Sequence, residues 1–175
     1  MRTAQDMAAL VQGHQVHRDV YTSAEVYRAE MKHLFANAWV FVGHDSQTPN
    51  KGDYFSTQIG DQPVIQVRHS TGDIHVLFNR CPHKGTKIVI DRQGNTGKFF
   101  RCPYHAWSFK TDGCLLAIPL KKGYEGTGLE QTPNARGMRA VGAVHNHRGF
   151  VFARLAEEGI SFQDFFGDAL SSLDN

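Results

Sequence analysis

The sequence predicts a mainly β protein, an antiparallel sandwich or barrel flanked by an N-terminal and a C-terminal helix. Three observations carry that prediction. Short apolar runs, broken by Gly, Asp and Asn, fill the middle of the chain. A strong turn dipeptide, Asp112-Gly113, separates two of them. Helical periodicity is confined to the two ends.

Residues 1–38 read as a polar arm of the first twenty residues followed by an amphipathic helix. Thr22-Ser-Ala-Glu25 has the pattern of a capping box, with Thr22 as N-cap and Glu25 reaching back. Tyr27, Met31, Leu34, Phe35 and Ala38 follow at helical spacing, which predicts about four turns ending before Trp39. Residues 39–155 carry the strands, expected at 39–43, 54–59, 63–68, 74–78, 98–101, 106–110, 114–118, 140–145 and 149–153. Asp112-Gly113 predicts a hairpin with both turn residues at positive φ. Cys114, just after it, is expected to be a buried strand residue.

Residues 156–175 return to helical spacing. Ser161 is placed to cap a helix in which Phe162, Phe165, Phe166, Ala169, Leu170 and Leu173 form one apolar stripe, with Gly167 on the other face. Such a stripe needs a packing partner. Either it folds back on the sandwich or it is the junction to a domain absent from this chain.

With 175 residues the chain is long enough for one domain with a real core. An apolar content of 41% and a charged content of 21% fit a soluble globular protein, and a net charge of +2 singles out no nucleic-acid partner. The N-terminus lacks the apolar run of a signal peptide and no stretch reaches membrane-spanning length, so a cytoplasmic protein without membrane contact is expected. Three cysteines are too few, and odd in number, for a disulfide framework.

The chemistry is concentrated in Cys81-Pro-His83 and Cys102-Pro-Tyr-His105. The pattern is C-x-H, a gap of eighteen residues, then C-x-x-H. Two thiolates and two imidazoles arriving in matched pairs suit a [2Fe–2S] centre with unlike ends, two Cys on one iron and two His on the other. Zinc accepts the same donors, but its usual order places both Cys before both His, with the His pair on a helix. Here each pair lies in a loop between predicted strands, stiffened by Pro82 and Pro103, with Gly85 free to make a tight turn and Trp107 placed to lie over the site. Of the ten His, the other eight have no Cys at ligand spacing.

Cys-Pro-His-Lys-Gly, Cys-Pro-Tyr-His-Ala-Trp-Ser-Phe and the following Asp-Gly-Cys-Leu and Ile-Pro resemble the Rieske domain at the N-terminus of the α (large) subunit of bacterial aromatic-ring-hydroxylating oxygenases. The resemblance covers nearly the whole chain, from the helix ending in Phe-Ala-Asn-Ala-Trp39, through Gly52-Asp-Tyr-Phe55, to Arg148-Gly-Phe-Val-Phe152. It implies a Rieske fold with a cluster-binding subdomain. It also implies a [2Fe–2S] cluster held by Cys81, His83, Cys102 and His105, with the His-bound iron nearer the surface. The implied role is electron input to a mononuclear Fe(II) bound by two His and a carboxylate, in a catalytic domain for which no matching residues are found here. The implied partners are a ferredoxin or reductase donor, that catalytic domain, and neighbouring α subunits, which form trimers in this family.

The departures touch no ligand. Lys84 stands where the family most often has Arg, and Ala106 where it commonly has Gly. Respiratory Rieske proteins carry a disulfide at the positions of Thr86 and Tyr104, and a Ser hydroxyl on a cluster sulfur at the position of Trp107. Between Arg80 and Lys110 there are seven basic residues and one acid, Asp91, which reads as a solvated face or as a docking surface for an acidic donor. The competing readings are a stand-alone Rieske ferredoxin, which is shorter and generally lacks both terminal extensions, and a zinc-stapled β module.

Overall fold

The computed structural model describes residues 3–128 and 136–174. Its first residues are more ordered than a polar arm: helix α1 (Ala4–Ala8), a small hairpin of β1 (Val11–Gln12) and β2 (Gln15–Val16), and helix α2 (Asp19–Thr22). Helix α3 (Ala24–Ala29) begins one residue later than predicted. Its N-cap is Ser23, whose Oγ accepts from the Val26 amide, while Thr22 closes α2 and donates its hydroxyl to the Arg18 carbonyl. Beyond Ala29 the helix widens into a π turn, Glu30–Leu34, closed by Phe35 N–H to Glu30 O at 2.9 Å. Met31 and Phe35 both lie over Gly60, so the turn sits on the adjacent hairpin.

Three antiparallel sheets follow. β4 (Asp53–Ile59), β5 (Gln62–Arg68), β6 (Ile74–Phe78) and β7 (Gln93–Asn95) form a four-stranded sheet in the order β6-β5-β4-β7. β3 (Val40–His44), β11 (Ala143–His147) and β12 (Phe150–Arg154) form a second, in the order β11-β12-β3. β8 (Phe99–Arg101), β9 (Ser108–Lys110) and β10 (Leu115–Ala117) form a third, in the order β10-β9-β8.

The four-stranded sheet is covered on both faces, and the pleat divides its residues between two cores. Val64 and Val76 point to a core with Val42, Val151 and Ala153 of the β11-β12-β3 sheet. Their neighbours Ile65, Val67 and Leu77 point to a second core with Phe100 and Phe109 of the β10-β9-β8 sheet and Trp107 of the loop between β8 and β9. Two-sided burial explains why Val-Ile-Gln-Val at 64–67 is apolar almost without alternation. Gln66 shares that burial by donating to His44 O and Thr48 Oγ1, both at 3.0 Å.

The predicted strands are present within a few residues of their expected bounds, and β7, wholly exposed and without apolar residues, was not predicted. At the β9–β10 turn only Gly113 has positive φ, 93°, and Asp112 does not. The loop is three residues long, closed by Lys110 N–H to Cys114 O at 2.8 Å, and Asp112 Oδ1 accepts from the Cys114 amide instead. A Cβ at Gly113 would come within 2.6 Å of Met138 O, so this position needs glycine for space as well as for φ. Cys114 is exposed rather than buried.

At the C-terminal end, Ser161 caps α4 (Phe162–Phe166) as expected, its Oγ accepting from the Asp164 amide. The single predicted helix is broken: Gly167, at φ 49°, diverts the chain into a 3-10 turn before α5 (Leu170–Leu173). The stripe nonetheless folds back. Phe162 is buried against Trp39 and Phe152, with Phe166, Leu170 and Leu173 packed beside it. Arg154, also buried, donates to the carbonyls of Ala156, Glu157 and Ile160 and fixes the chain where it leaves the sheet. Among the described residues no helix is long and apolar enough to cross a membrane.

Candidate metal centre

Both ligand loops rise from strand ends of the second core. The first leaves β6 and the second joins β8 to β9. They are built alike. Cys81 N–H donates to Thr86 O and Cys102 N–H to Trp107 O, both at 2.8 Å. Gly85 N–H returns to Cys81 O at 2.9 Å and Ala106 N–H to Cys102 O at 3.0 Å. The first loop is also moored from beneath by Asn79, which is 2% exposed. Its Oδ1 accepts from the amides of Ile88 and Val89, and its Nδ2 donates to Val89 O at 2.8 Å.

The four candidate ligands separate into a thiol side and an imidazole side. Cys81 and Cys102 are buried, free of any disulfide and close enough for their thiols to interact. His83 is half-buried and His105 exposed, with ring centroids 4.7 Å apart. Trp107 lies flat on His83, 3° from parallel at 4.7 Å, as the sequence expectation has it. Tyr104 lies on His105 at 3.7 Å. Tyr124 stands edge-on to both His83 and Trp107, at 6.1 and 5.9 Å. It comes from the 121–126 loop, in which sequence reasoning found no site residue, and nothing in spacing or composition marks it.

The electrostatics fit a metal cluster. Burial pushes the Cys81 thiol up, the backbone N–H of His83 draws it down, and the facing Cys102 thiol raises it again, with the Lys84 N–H lowering it. A bound metal deprotonates a thiol in such a place, and amides are already aimed at the resulting charge. Burial also holds the His83 imidazole below its ordinary pKa, helped by His105 and Lys84, so it is kept in the neutral form that ligates. Its Nδ1 is buried with no hydrogen-bond partner in the protein. A buried ring nitrogen with no protein partner, beside a second imidazole, is free to ligate. Among the described residues no group of three or more His, Cys, Asp and Glu is arranged to hold a single metal ion.

The Rieske [2Fe-2S] domain family model matches residues 38–133. The chain belongs to the Rieske [2Fe-2S] domain family. That removes the zinc-module reading and gives the cofactor as a [2Fe–2S] cluster. The Rieske chain is 36% identical over 155 residues to the α subunit of the N,N-dimethyl phenylurea N-demethylase of Sphingobium sp. (strain YBL2), covering 89% of this chain and 33% of that one. It is 35% identical over 162 residues to the anthranilate 1,2-dioxygenase large subunit of Acinetobacter baylyi, covering 92% and 33%. Naphthalene 1,2-dioxygenase from Rhodococcus sp., solved with indole bound, superposes with a TM-score of 0.84 at 29% identity, covering 99% and 40%. The chain thus spans about a third of the length of the curated relatives it matches.

Two of the other histidines, both on β11, lie at the C-terminal segment. His145 stacks on Phe162 at 3.9 Å, and His147 pairs with Asp174 at 2.8 Å. All seven basic residues between Arg80 and Lys110 are exposed.

Proposed function

We propose that this chain is the electron-transfer unit of the α subunit of a ring-hydroxylating oxygenase. Cys81 and Cys102 hold one iron of the cluster, and His83 and His105 hold the other. When bound, the cluster supplies one-electron storage and release at a potential raised by imidazole ligation. The buried thiol side and the Asn79-moored loop keep the site rigid and dry. His105 is exposed and leaves the imidazole side open to a partner. Electrons arrive from a ferredoxin or reductase and leave for a mononuclear iron in a catalytic domain, where O2-dependent hydroxylation takes place.

One observation carries this reading. The structural match to naphthalene 1,2-dioxygenase from Rhodococcus sp. covers 99% of the chain, so it takes in the N-terminal helix and the Phe-rich C-terminal segment, well beyond the ligand loops. A stand-alone Rieske ferredoxin has no need of either extension. The same reading assigns residues 1–38 as the N-terminal arm and helix, 39–155 as the Rieske domain and 156–175 as the junction to the catalytic domain. It places the protein in the cytoplasm, as part of a trimer of α subunits.

The test is low-temperature EPR of the dithionite-reduced chain, with iron and sulfide counted on the same sample. A rhombic Rieske-type signal with two irons and two sulfides per chain is expected. Substituting His105→Ala should abolish that signal. No signal, with zinc present instead, would falsify the assignment.

A further inference from the structure

We propose that Tyr124 and Trp107 form a positioning pair for His83, an inference that rests on the cluster reading above. The two imidazoles are held very differently. His105 is exposed and bears Tyr104 on its face. His83 is walled in. The Trp107 indole lies 3° from parallel to it with centroids 4.7 Å apart, and the Tyr124 ring meets both at 77° and 79°. A flat stack fixes the plane of the imidazole, and an edge-on ring blocks its rotation out of that stack.

Each member of the pair is itself fixed. Trp107 is 1% exposed, and its carbonyl accepts from the Cys102 amide at 2.8 Å, so the indole is tied to the second ligand loop. Tyr124 closes a 3-10 turn, Lys121–Tyr124, entered through Leu120 in the left-handed conformation at φ 53°. The Tyr124 carbonyl accepts from both the amide and the hydroxyl of Thr127, at 3.1 and 2.6 Å. A strained turn held by a two-donor clasp is a costly way to present one half-buried ring, unless its placement matters.

The chemistry depends on that placement. An imidazole lone pair is directional, so the tilt of the ring sets its overlap with the iron it ligates. No protein hydrogen bond to the buried Nδ1 of His83 orients the ring, so packing is the means shown here by which the protein sets the plane in which it would ligate. No hydrogen bond to the Tyr124 hydroxyl enters this account. The aromatic edge does the positioning, so phenylalanine should serve as well as tyrosine.

The experiment compares the unaltered chain with Tyr124→Ala and Tyr124→Phe, each carrying its cluster. Three readouts are nitrogen hyperfine couplings of the two coordinated histidines by ENDOR, the rate of iron loss to a chelator, and the melting temperature. Tyr124→Ala should alter the coupling of one histidine and leave the other unchanged. It should also speed iron loss about two- to tenfold, the range expected for one aromatic contact. Tyr124→Phe should restore both. Trp107→Phe, if it folds, should fall between the parent and Tyr124→Ala.

A lowered melting temperature in Tyr124→Ala with both couplings unchanged would make Tyr124 a packing residue and overturn the proposal. So would a Tyr124→Phe spectrum as altered as that of Tyr124→Ala. Absence of any histidine nitrogen coupling in the unaltered chain would instead overturn the cluster reading, and this inference with it.

Discussion

Gly85 and Ala106 occupy the same place in the two ligand loops. Each amide returns to the carbonyl of the cysteine four residues before it, and each residue sits at positive φ, 75° and 55°. The left-handed residue lets the loop fold back so that the cysteine amide can donate to the next carbonyl. Glycine takes that conformation freely, whereas alanine pays about 1 kcal/mol for it. Nothing lies within 4 Å of a Cβ built on Gly85, so only backbone strain separates glycine from alanine there. Ala106→Gly is therefore expected to stabilise the protein by about 1 kcal/mol and Gly85→Ala to destabilise it by about as much. Denaturant unfolding of the two variants checks the opposite signs.

Asn79 holds the first loop by three hydrogen bonds at a fully buried position. Asn79→Leu keeps the volume but strands the Ile88 and Val89 amides and the Val89 carbonyl. Leaving buried backbone groups unpaired costs about 1–3 kcal/mol each before relaxation, so a loss of about 3 kcal/mol is expected. Because the loop carries Cys81 and His83, iron retention should fall together with stability. Iron content measured after desalting reads this, and full retention would show that the loop holds itself.

The division between what was legible and what was not follows the range of each signal. Strand positions were readable because Val64, Ile65, Val67, Val76 and Leu77 bury side chains on a pleat, which leaves a local apolar pattern. The ligands were readable because each Cys and His pair lies within one short loop. The strand β7 has no apolar residue, and its pairing to β4 rests on backbone bonds and on Asn95 Nδ2 donating to Asp53 Oδ1 at 2.7 Å. Tyr124 reaches His83 only through the tertiary path of its loop, and Asn79 reads from the sequence as one more polar residue before a cysteine. The helix at Gly167 was misjudged because a glycine away from the apolar stripe leaves the periodicity intact while releasing the backbone.

Two half-buried histidines outside the ligand set, His75 and His145, give folding a pH dependence. His145 lies on Phe162, and burial, then the nearby His147, hold it below its ordinary pKa. His75 is lowered by burial and by His69, with Asp112 and Asp73 acting the other way. For a group whose folded pKa is depressed, the unfolded chain binds the proton first. Stability is then fully present above the ordinary imidazole pKa of about 6.5 and falls as the pH drops below it. Melting temperatures should decline between about pH 7.5 and 5.5, and His145→Gln should flatten part of that slope. An unchanged slope in the variant would assign the effect elsewhere.

Seven exposed basic residues and the single acid Asp91 lie between Arg80 and Lys110, the stretch that carries both ligand loops. An acidic donor would be steered to such a surface, and salt would screen the attraction over about 10 Å at 0.1 M. The second-order rate of reduction by the native donor should fall as ionic strength rises. Replacing Lys84 and Lys87 by Gln should lower the low-salt rate and make the salt dependence shallower. A flat profile in the parent protein would leave these residues as an ordinary solvated face.

The reduction potential follows from how few donors reach the cluster sulfurs. The backbone amides of His83 and Lys84 are aimed at Cys81. Where respiratory Rieske proteins have a serine hydroxyl, this chain has Trp107, whose ring is committed to the stack on His83. Thr86 and Tyr104 replace the cysteines of the respiratory disulfide, so no bridge stiffens the two loops. Each missing donor leaves the added negative charge of the reduced state less stabilised, which favours the oxidised form. The midpoint should therefore lie toward the low end of the Rieske range, about −150 mV. A redox titration followed by EPR measures it, and a midpoint above zero would show that the sulfurs receive donors beyond these amides.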